Sequence, residues 1–192
     1  MLVLASKSAS RRAMLDAAGV VYEAAPAEID ERAVEDAVGG SFPQRATALA
    51  QAKARHVADR RAASWVLGSD SLVAVAGERF DKPASREEAR EHLRFFSGRR
   101  MELHSAAALA RDGADVWQIA DVAVLDVREL SDAFIEDYLD HEWPAIGHCA
   151  GAFRIEARGV TLFERIEGSQ FTVLGMPLLP VLAALRERGL AA

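Results

Sequence analysis

Serine and arginine, two residue types that bind phosphate, are concentrated just after the first apolar run. Arg11 and Arg12 follow Ser6, Ser8 and Ser10 at the predicted start of a helix. The helix macrodipole disfavours cations there, whereas the unpaired N–H groups of a helix start favour anions. Because a guanidinium binds phosphate oxygens in pairs, one interpretation is that a phosphate chain occupies this position. The alternative is that both arginines point into solvent and Ser8 or Ser10 is an ordinary N-cap.

A lysine interrupts the apolar stripe of the longest predicted helix. At ~100° per residue, Leu49 and Val57 lie ~80° apart around the helix axis, and Lys53 projects between them. Burying an unpaired charge is costly. Lys53 therefore either extends its ammonium group to water or crosses the edge of the core to reach an anion.

Two acidic positions are candidates for metal binding or proton transfer. Asp70 follows a short apolar run at Gly68, and the ends of strands are where α/β sheets present catalytic groups. Asp70 is predicted to hold a divalent metal or accept a proton from water; the alternative is a turn-forming aspartate. Asp30 and Glu31 form a further acidic pair in a predicted loop, where such pairs are more often solvated.

Lys82 precedes Pro83, which restricts it to extended conformations. With Arg11, Arg12 and Lys53 it brings the candidate phosphate cations to four, and Asp70 lies in the same first 82 residues. These are the groups that phosphoryl chemistry with a metal ion requires.

The surrounding pattern alternates strands and helices. This alternation predicts an α/β or α+β fold, a sheet with helices on both faces. The predicted strands are 2–5, 20–25, 65–67, 72–75, 101–110 and 116–127. The predicted helices are 10–18, about 43–61, one opened by the Ser85–Glu88 capping box, one starting near Ser131, and 177–188, with short strands and turns in the Gly-rich segment 147–175.

Composition limits the classes of partner. The chain has 192 residues, a formal charge of −6 and one cysteine, Cys149. The length predicts a single domain, which is large enough to have two lobes. The negative charge argues against a general nucleic-acid surface, and a lone cysteine fits a reducing compartment. With neither a signal sequence nor a membrane-length apolar stretch, the chain is predicted to be cytoplasmic.

The order of the motifs resembles the Maf family of nucleotide pyrophosphatases. The matching segments run through nearly the whole chain and are Leu4-Ala5-Ser6-x-Ser8 with Arg11-Arg12, Asp30-Glu31, Leu49-Ala50-x-Ala52-Lys53-Ala54, Gly68-Ser69-Asp70, Lys82-Pro83, Ser97-Gly98, Ala150-Gly151-Ala152-Phe153 and Val173-Leu174-Gly175-Met176-Pro177-Leu178. The resemblance implies a Maf/inosine-triphosphatase-like α/β fold, an elongated mixed sheet with flanking helices and two lobes around a cleft. It also implies hydrolysis of a nucleoside triphosphate to a monophosphate and pyrophosphate with Mg²⁺, Mn²⁺ or Co²⁺, commonly in a homodimer.

Site residues follow from this resemblance position by position. Asp70 matches the catalytic acid, with Glu31 as a second metal ligand. Contacts to the substrate are expected from Ser6, Arg11, Arg12, Lys53, Ser71, Lys82 and Glu156.

Several segments resemble the 7-methyl-GTP branch more than the dTTP/UTP branch. They are 8–12, which has one residue more than the SPRR of the pyrimidine branch, 148–151 and 159–165. Glu156 stands where the pyrimidine branch has glutamine. A carboxylate only accepts hydrogen bonds, so it can take both N–H donors of the guanine edge; the alternative is a solvent-facing residue on a hairpin. Ala9 and Ser10 replace the Pro and Trp of the purine-branch pattern, which removes a stacking aromatic.

Three other functions compete with this hypothesis. One is a dTTP/UTP or broad-range nucleoside triphosphate pyrophosphatase. Another is a phosphatase that releases orthophosphate. The last is a non-catalytic nucleotide-binding regulator, since Maf proteins have been linked to septum formation and cell-division arrest.

Overall fold

A mixed seven-stranded sheet organises the chain in the computed structural model, which describes residues 1–191. The strands are β1 (Leu2–Leu4), β2 (Glu23–Ala24), β3 (Trp65–Val75), β4 (Glu78–Phe80), β5 (Arg100–Arg111), β6 (Ala114–Val127) and β7 (Phe163–Glu167). Their order is β2-β1-β3-β5-β6-β7, and β4 pairs with β3. Strand β1 is parallel to β2 and β3, whereas β4 and β7 are antiparallel to their partners. The predicted α/β class is confirmed.

Seven α-helices accompany the sheet in the described residues. They are α1 (Ala9–Ala17), α2 (Glu31–Val38), α3 (Phe42–Ala58), α4 (Arg86–Phe96), α5 (Asp132–Glu142), α6 (Gln170–Val173) and α7 (Leu178–Arg186). Local capping sets several of the starts. Ser85 Oγ accepts the Glu88 N–H at 3.1 Å, and Ser131 Oγ accepts the Phe134 N–H at 3.2 Å. Both predicted helix starts are confirmed.

The prediction of two separate strands on either side of Gly68-Ser69-Asp70 was wrong, and so was the alternative of a turn-forming Asp70. Strand β3 continues through all three residues. The polar side chains are tolerated inside the strand because each has a partner: Ser69 Oγ donates to the Ala106 carbonyl at 2.8 Å, and Asp70 pairs with Lys53. Gly68 allows α3 to pack closely against β3, because a β-carbon at this position would stand 2.1 Å from the Ala50 carbonyl oxygen.

The loop predicted around Asp30 and Glu31 was also wrong in part, because a helix begins there. Asp30 is the N-cap of α2, its carboxylate accepting the Ala33 N–H at 3.0 Å, and Glu31 is the first helical residue. Helix α2 packs against α3. The strand predicted over 20–25 shrinks to β2, and β4 was not predicted.

The chain divides into two compact units. Unit 1 comprises Met1–Ser71, His104–Val122 and Ser169–Ala192, and unit 2 comprises Leu72–Leu103 and Ala123–Gly168. The core of unit 1 includes Leu4, Leu15, Leu67, Leu109 and Leu185, all fully buried.

Unit 2 contains an aromatic cluster and an ion-pair network. Phe80 packs against Phe95 and Phe96 with ring centroids 5.1 and 4.8 Å apart. Glu136 on α5 bridges to Arg86 and Arg90 on α4. No helix within residues 1–191 is both long and apolar enough to cross a membrane.

Candidate active site

Two carboxylates in unit 1 converge on the ammonium group of Lys53. Its Nζ lies 2.7 Å from Glu31 Oε1 and also contacts Asp70 Oδ1. The Lys53 and Asp70 side chains are only 12% and 9% exposed, whereas Glu31 is 47% exposed. Of the two interpretations of Lys53, the structure therefore shows the one in which it reaches an anion.

Close packing of α3 on β3 creates this cluster. Gly68 and Asp70 lie two residues apart on the strand, so their side-chain positions share one face of the sheet. Because Gly68 has no β-carbon, the helix backbone at Ala50 and Ala54 lies directly against that face. Lys53 lies on the same helix between these alanines, and its ammonium group contacts Asp70.

Arg11 is buried beside the cluster and held by two neutral oxygens. Its Nε donates to the Gly175 carbonyl at 2.9 Å, and an Nη donates to Ser6 Oγ at 3.2 Å. Burial lowers the pKa of the Arg11 guanidinium, an effect that the nearby Asp70 and Glu31 carboxylates oppose. Neither neutral partner cancels its charge, so Arg11 presents a positive charge beside the carboxylates.

Ser6 retains a hydroxyl proton for a ligand. Its Oγ accepts the Ser8 N–H at 3.2 Å and the Arg11 guanidinium at 3.2 Å. Among residues 1–191 no acceptor takes the Ser6 proton itself. A serine that already accepts twice and is 7% exposed can donate to an anionic oxygen next to Arg11.

Arg11 and Arg12 have different environments, although the sequence presents them as a pair. Ser8 is the N-cap of α1, and both arginines lie within the first turns. Arg12 is exposed, its backbone N–H donates to the Ser8 carbonyl at 3.2 Å, and its carbonyl oxygen accepts a 3.5 Å bond from the Tyr22 hydroxyl. The interpretation of an arginine pointing into solvent thus describes Arg12, while Arg11 points inward.

Ser71 borders Arg11 through Gly175. A β-carbon on Gly175 would stand 3.6 Å from an Arg11 Nη and 3.7 Å from Ser71 Cβ. Gly175 also has a φ of +98°, which side-chain-bearing residues rarely adopt. The positive φ is what favours glycine at position 175, because the space there would admit a β-carbon.

The other two predicted site residues, Lys82 and Glu156, belong to unit 2. Both are exposed, Lys82 in an irregular segment before buried Pro83 and Glu156 in a turn rather than a hairpin. Both act electrostatically on the same thiol. Burial raises the pKa of Cys149, and Glu156 adds to this rise, while Arg154 and Lys82 oppose it.

Sequence reasoning missed the residues that fix Arg11 and Ser71. These are the Gly175 carbonyl, the buried hydroxyls of Ser69 and Ser105, and the Thr172 carbonyl. In the sequence, only the glycine within the motif at 173–178 indicated an unusual backbone conformation, at position 175. The partners lie far apart in the chain, so their spacing carries no pattern.

The donor set suits a hard divalent cation. Asp70 and Glu31 present oxygens to one point, now taken by the Lys53 ammonium group. Within the described residues no group of three His, Cys, Asp or Glu side chains could hold a metal. Mg²⁺ typically takes one or two carboxylates from protein and its other ligands from substrate phosphates and water. The two residues fit that requirement.

Comparison with known proteins identifies the family. A family model described as "Maf-like protein" matches residues 1–188. A nucleoside triphosphate pyrophosphatase of Sphingopyxis alaskensis is 46% identical over 99% of this chain and 98% of that protein. A 7-methyl-GTP pyrophosphatase of Rhizobium meliloti is 45% identical over 98% of this chain and 96% of that protein. The chain belongs to the Maf-like protein family, which confirms the resemblance seen in the motifs.

Among solved structures, a HAM1 protein from Coxiella burnetii aligns over 66% of this chain and 72% of that chain, with 21% identity and a TM-score of 0.46.

Proposed function

We propose that this protein is a nucleoside triphosphate pyrophosphatase, a hydrolase of acid anhydrides that cleaves between the α- and β-phosphates. The observation that carries the proposal is the cluster of buried Asp70 and Lys53 with the partly exposed Glu31, beside Arg11. It combines a carboxylate able to accept a proton with cations able to hold phosphate. Family membership over residues 1–188 supports the same reaction.

The residues of unit 1 divide the work by their chemistry. Arg11 donates to phosphate oxygens with the guanidinium N–H groups that Gly175 and Ser6 leave available. Ser6 donates its hydroxyl proton to the same chain of phosphates. Asp70 orients and deprotonates the water that attacks the α-phosphorus, and Lys53 balances the charge that develops on the leaving pyrophosphate. Arg12, exposed on α1, attracts the anionic nucleotide over a longer range.

Glu31 and Asp70 would hold a divalent cation, Mg²⁺, Mn²⁺ or Co²⁺. When bound, such an ion neutralises phosphate charge and polarises the phosphorus centre. Because Lys53 contacts both carboxylates, its ammonium group would have to move aside for an ion to bind between them.

The proposed substrate is 7-methyl-GTP. Two relatives named 7-methyl-GTP pyrophosphatase, 45% and 44% identical, support this choice. The exposed Glu156 offers an acceptor-only carboxylate suited to the two N–H donors of guanine and to the cationic methylated ring. Other relatives carry the broader name of nucleoside triphosphate pyrophosphatase, so dTTP, UTP and a broad range of nucleotides are the alternatives.

The substrate is tested with purified protein. We expect pyrophosphate from 7-methyl-GTP with a higher kcat/KM than from dTTP, UTP, CTP or ITP, assayed with Mg²⁺, Mn²⁺ and Co²⁺. Glu156→Gln should lower the ratio of 7-methyl-GTP to UTP turnover, while Glu164→Gln, at another exposed glutamate, should not. Equal turnover of all nucleotides would favour the broad-range alternative.

The reaction is tested with isotopically labelled water. Attack on the α-phosphorus places ¹⁸O in the monophosphate, whereas attack on the β-phosphorus places it in pyrophosphate. Release of orthophosphate alone would indicate a phosphatase. Nucleotide binding without any released phosphate would indicate a non-catalytic regulator of cell division.

Asp70→Asn tests the proton acceptor. General-base catalysis contributes about 10²–10⁴-fold, so kcat should fall by that order while the circular dichroism spectrum stays unchanged. Asp16→Asn, at an exposed aspartate on α1, is the control. Turnover of Asp70→Asn close to that of the wild type would remove Asp70 from the mechanism.

A further inference from the structure

Ser69 and Asp70 are neighbours on β3, so their side chains point to opposite faces of the sheet. Asp70 faces α3. Ser69 faces the other way and is fully buried. Its hydroxyl donates to the Ala106 carbonyl at 2.8 Å and to the Gly175 carbonyl at 3.2 Å. One strand therefore connects the candidate proton acceptor with the segment that holds Arg11.

The Gly175 carbonyl oxygen accepts from two donors. Arg11 Nε donates to it at 2.9 Å, and the Ser69 hydroxyl donates to it at 3.2 Å. A carbonyl oxygen has two lone pairs, and these two donors occupy both. The Ser69 proton is shared with the Ala106 carbonyl on β5, so the Gly175 carbonyl is tied to two strands of the sheet.

The backbone at Gly175 makes this contact important. The Gly175 N–H closes the turn after α6 by donating to the Thr172 carbonyl at 3.0 Å, whereas the Gly175 carbonyl oxygen points to Ser69 and Arg11. Glycine restricts backbone rotation less than any other residue. The peptide group that follows Gly175 can therefore tilt unless its oxygen is held, and the Ser69 hydroxyl holds it.

Two contacts define the plane of the Arg11 guanidinium. Its Nε donates to Gly175, and an Nη donates to Ser6 Oγ at 3.2 Å. A guanidinium is a rigid plane of five N–H donors, so a tilt of the Gly175 carbonyl turns the remaining donors with it. The direction of the donors that face phosphate therefore depends on Gly175 and, through it, on Ser69.

We propose that Ser69 is a positioning residue whose buried hydroxyl fixes the Gly175 carbonyl and thereby directs the Arg11 guanidinium towards the triphosphate. Because Ser69 adjoins Asp70 on the same strand, this contact also holds the phosphate-binding arginine at a set distance from the proton acceptor. The inference rests on the proposed function, because it assumes that Arg11 binds phosphate.

The experiment combines Ser69→Ala with Arg11→Lys in a double-mutant cycle. Arg11→Lys keeps the positive charge and removes the planar fork that Gly175 orients. Ser69→Cys keeps a side chain of similar size with only a weak donor, so it separates hydrogen bonding from packing. Ser64→Ala, at a buried serine of unit 1 outside the site, is the control.

Three quantities are measured for each protein. The dissociation constant of inorganic tripolyphosphate reports phosphate binding without a nucleoside. The values of kcat and KM for the nucleotide report catalysis. The rate at which the Arg11 Nε proton exchanges with water, measured by NMR, reports the bond to Gly175 directly.

We expect Ser69→Ala and Ser69→Cys to weaken tripolyphosphate binding by roughly 2- to 12-fold, the range of a single neutral hydrogen bond, and to lower kcat/KM by a similar factor. In the Arg11→Lys background, Ser69→Ala should have no further effect, because its hydroxyl acts through the guanidinium. The Arg11 Nε proton should exchange faster in Ser69→Ala than in the wild type, and at the wild-type rate in Ser64→Ala.

The proposal is overturned if Ser69→Cys binds tripolyphosphate as tightly as the wild type, if the losses from Ser69→Ala and Arg11→Lys add, or if proton exchange at Arg11 Nε is unchanged in Ser69→Ala. A wild-type protein that releases no pyrophosphate defeats the proposed function instead. The tripolyphosphate dissociation constants and the exchange rates then still decide whether Ser69 orients Arg11.

Discussion

Replacing Lys53 with methionine removes the cation between two carboxylates while keeping the length and apolar stem of the side chain. A hydrogen bond to a charged group contributes about 1.5–3 kcal/mol, and breaking a fully buried ion pair costs about 3–5 kcal/mol. Asp70 is 9% exposed and Glu31 is 47% exposed, so most of the loss arises at Asp70. We expect Lys53→Met to lose about 2–3 kcal/mol of unfolding free energy, which for a chain of this size lowers Tm by about 5–10 °C.

The assay is thermal and urea unfolding of Lys53→Met, Asp70→Asn and the double variant. In the double variant, Asp70→Asn removes the buried carboxylate charge that Lys53→Met alone leaves without its cation. The double variant should therefore be more stable than Lys53→Met by about 1–2 kcal/mol. Lys7→Met, at an exposed lysine of unit 1, should melt with the wild type. The reasoning is refuted if Lys53→Met also melts with the wild type, or if adding Asp70→Asn lowers its Tm further.

Two further predictions concern stability. Gly68→Ala places a β-carbon 2.1 Å from a backbone oxygen of α3, so unfolding free energy should fall by about 1–3 kcal/mol or more; a variant that unfolds together with the wild type would contradict the packing argument. Arg90 and Arg86 lower the pKa of Glu136 from 4.5 to about 2. The stability that Glu136 contributes should therefore be complete above pH 4.5 and disappear as pH falls towards 2, so urea unfolding should show wild type and Glu136→Gln converging across that range; a constant difference would argue against the ion pairs.

Local signals in the sequence predicted much of the fold. The capping residues Ser85 and Ser131 identified helix starts because the cap bonds join neighbours along the chain. Helical periodicity singled out Lys53 because the stripe on α3 is a property of that segment alone. Motif order along the chain identified the family without any structure.

Features that depend on distant partners could not be predicted. The run Gly68-Ser69-Asp70 resembles a turn until Ala106 and Lys53 are known to satisfy its polar groups within one strand. Consecutive residues on a helix point ~100° apart, so one of two adjacent arginines had to turn away. Which of them turns inward depends on Gly175, and that residue lies 164 positions from Arg11.

This long separation bears on how the protein is made. Ribosomal synthesis runs from the N-terminus, so Arg11 is produced 164 residues before the carbonyl that fixes the direction of its guanidinium. Until Gly175 has been added and has left the ribosome, the arginine has no fixed orientation and the nascent chain has an incomplete phosphate site. We expect nascent chains that lack Gly175 to hydrolyse no nucleoside triphosphate.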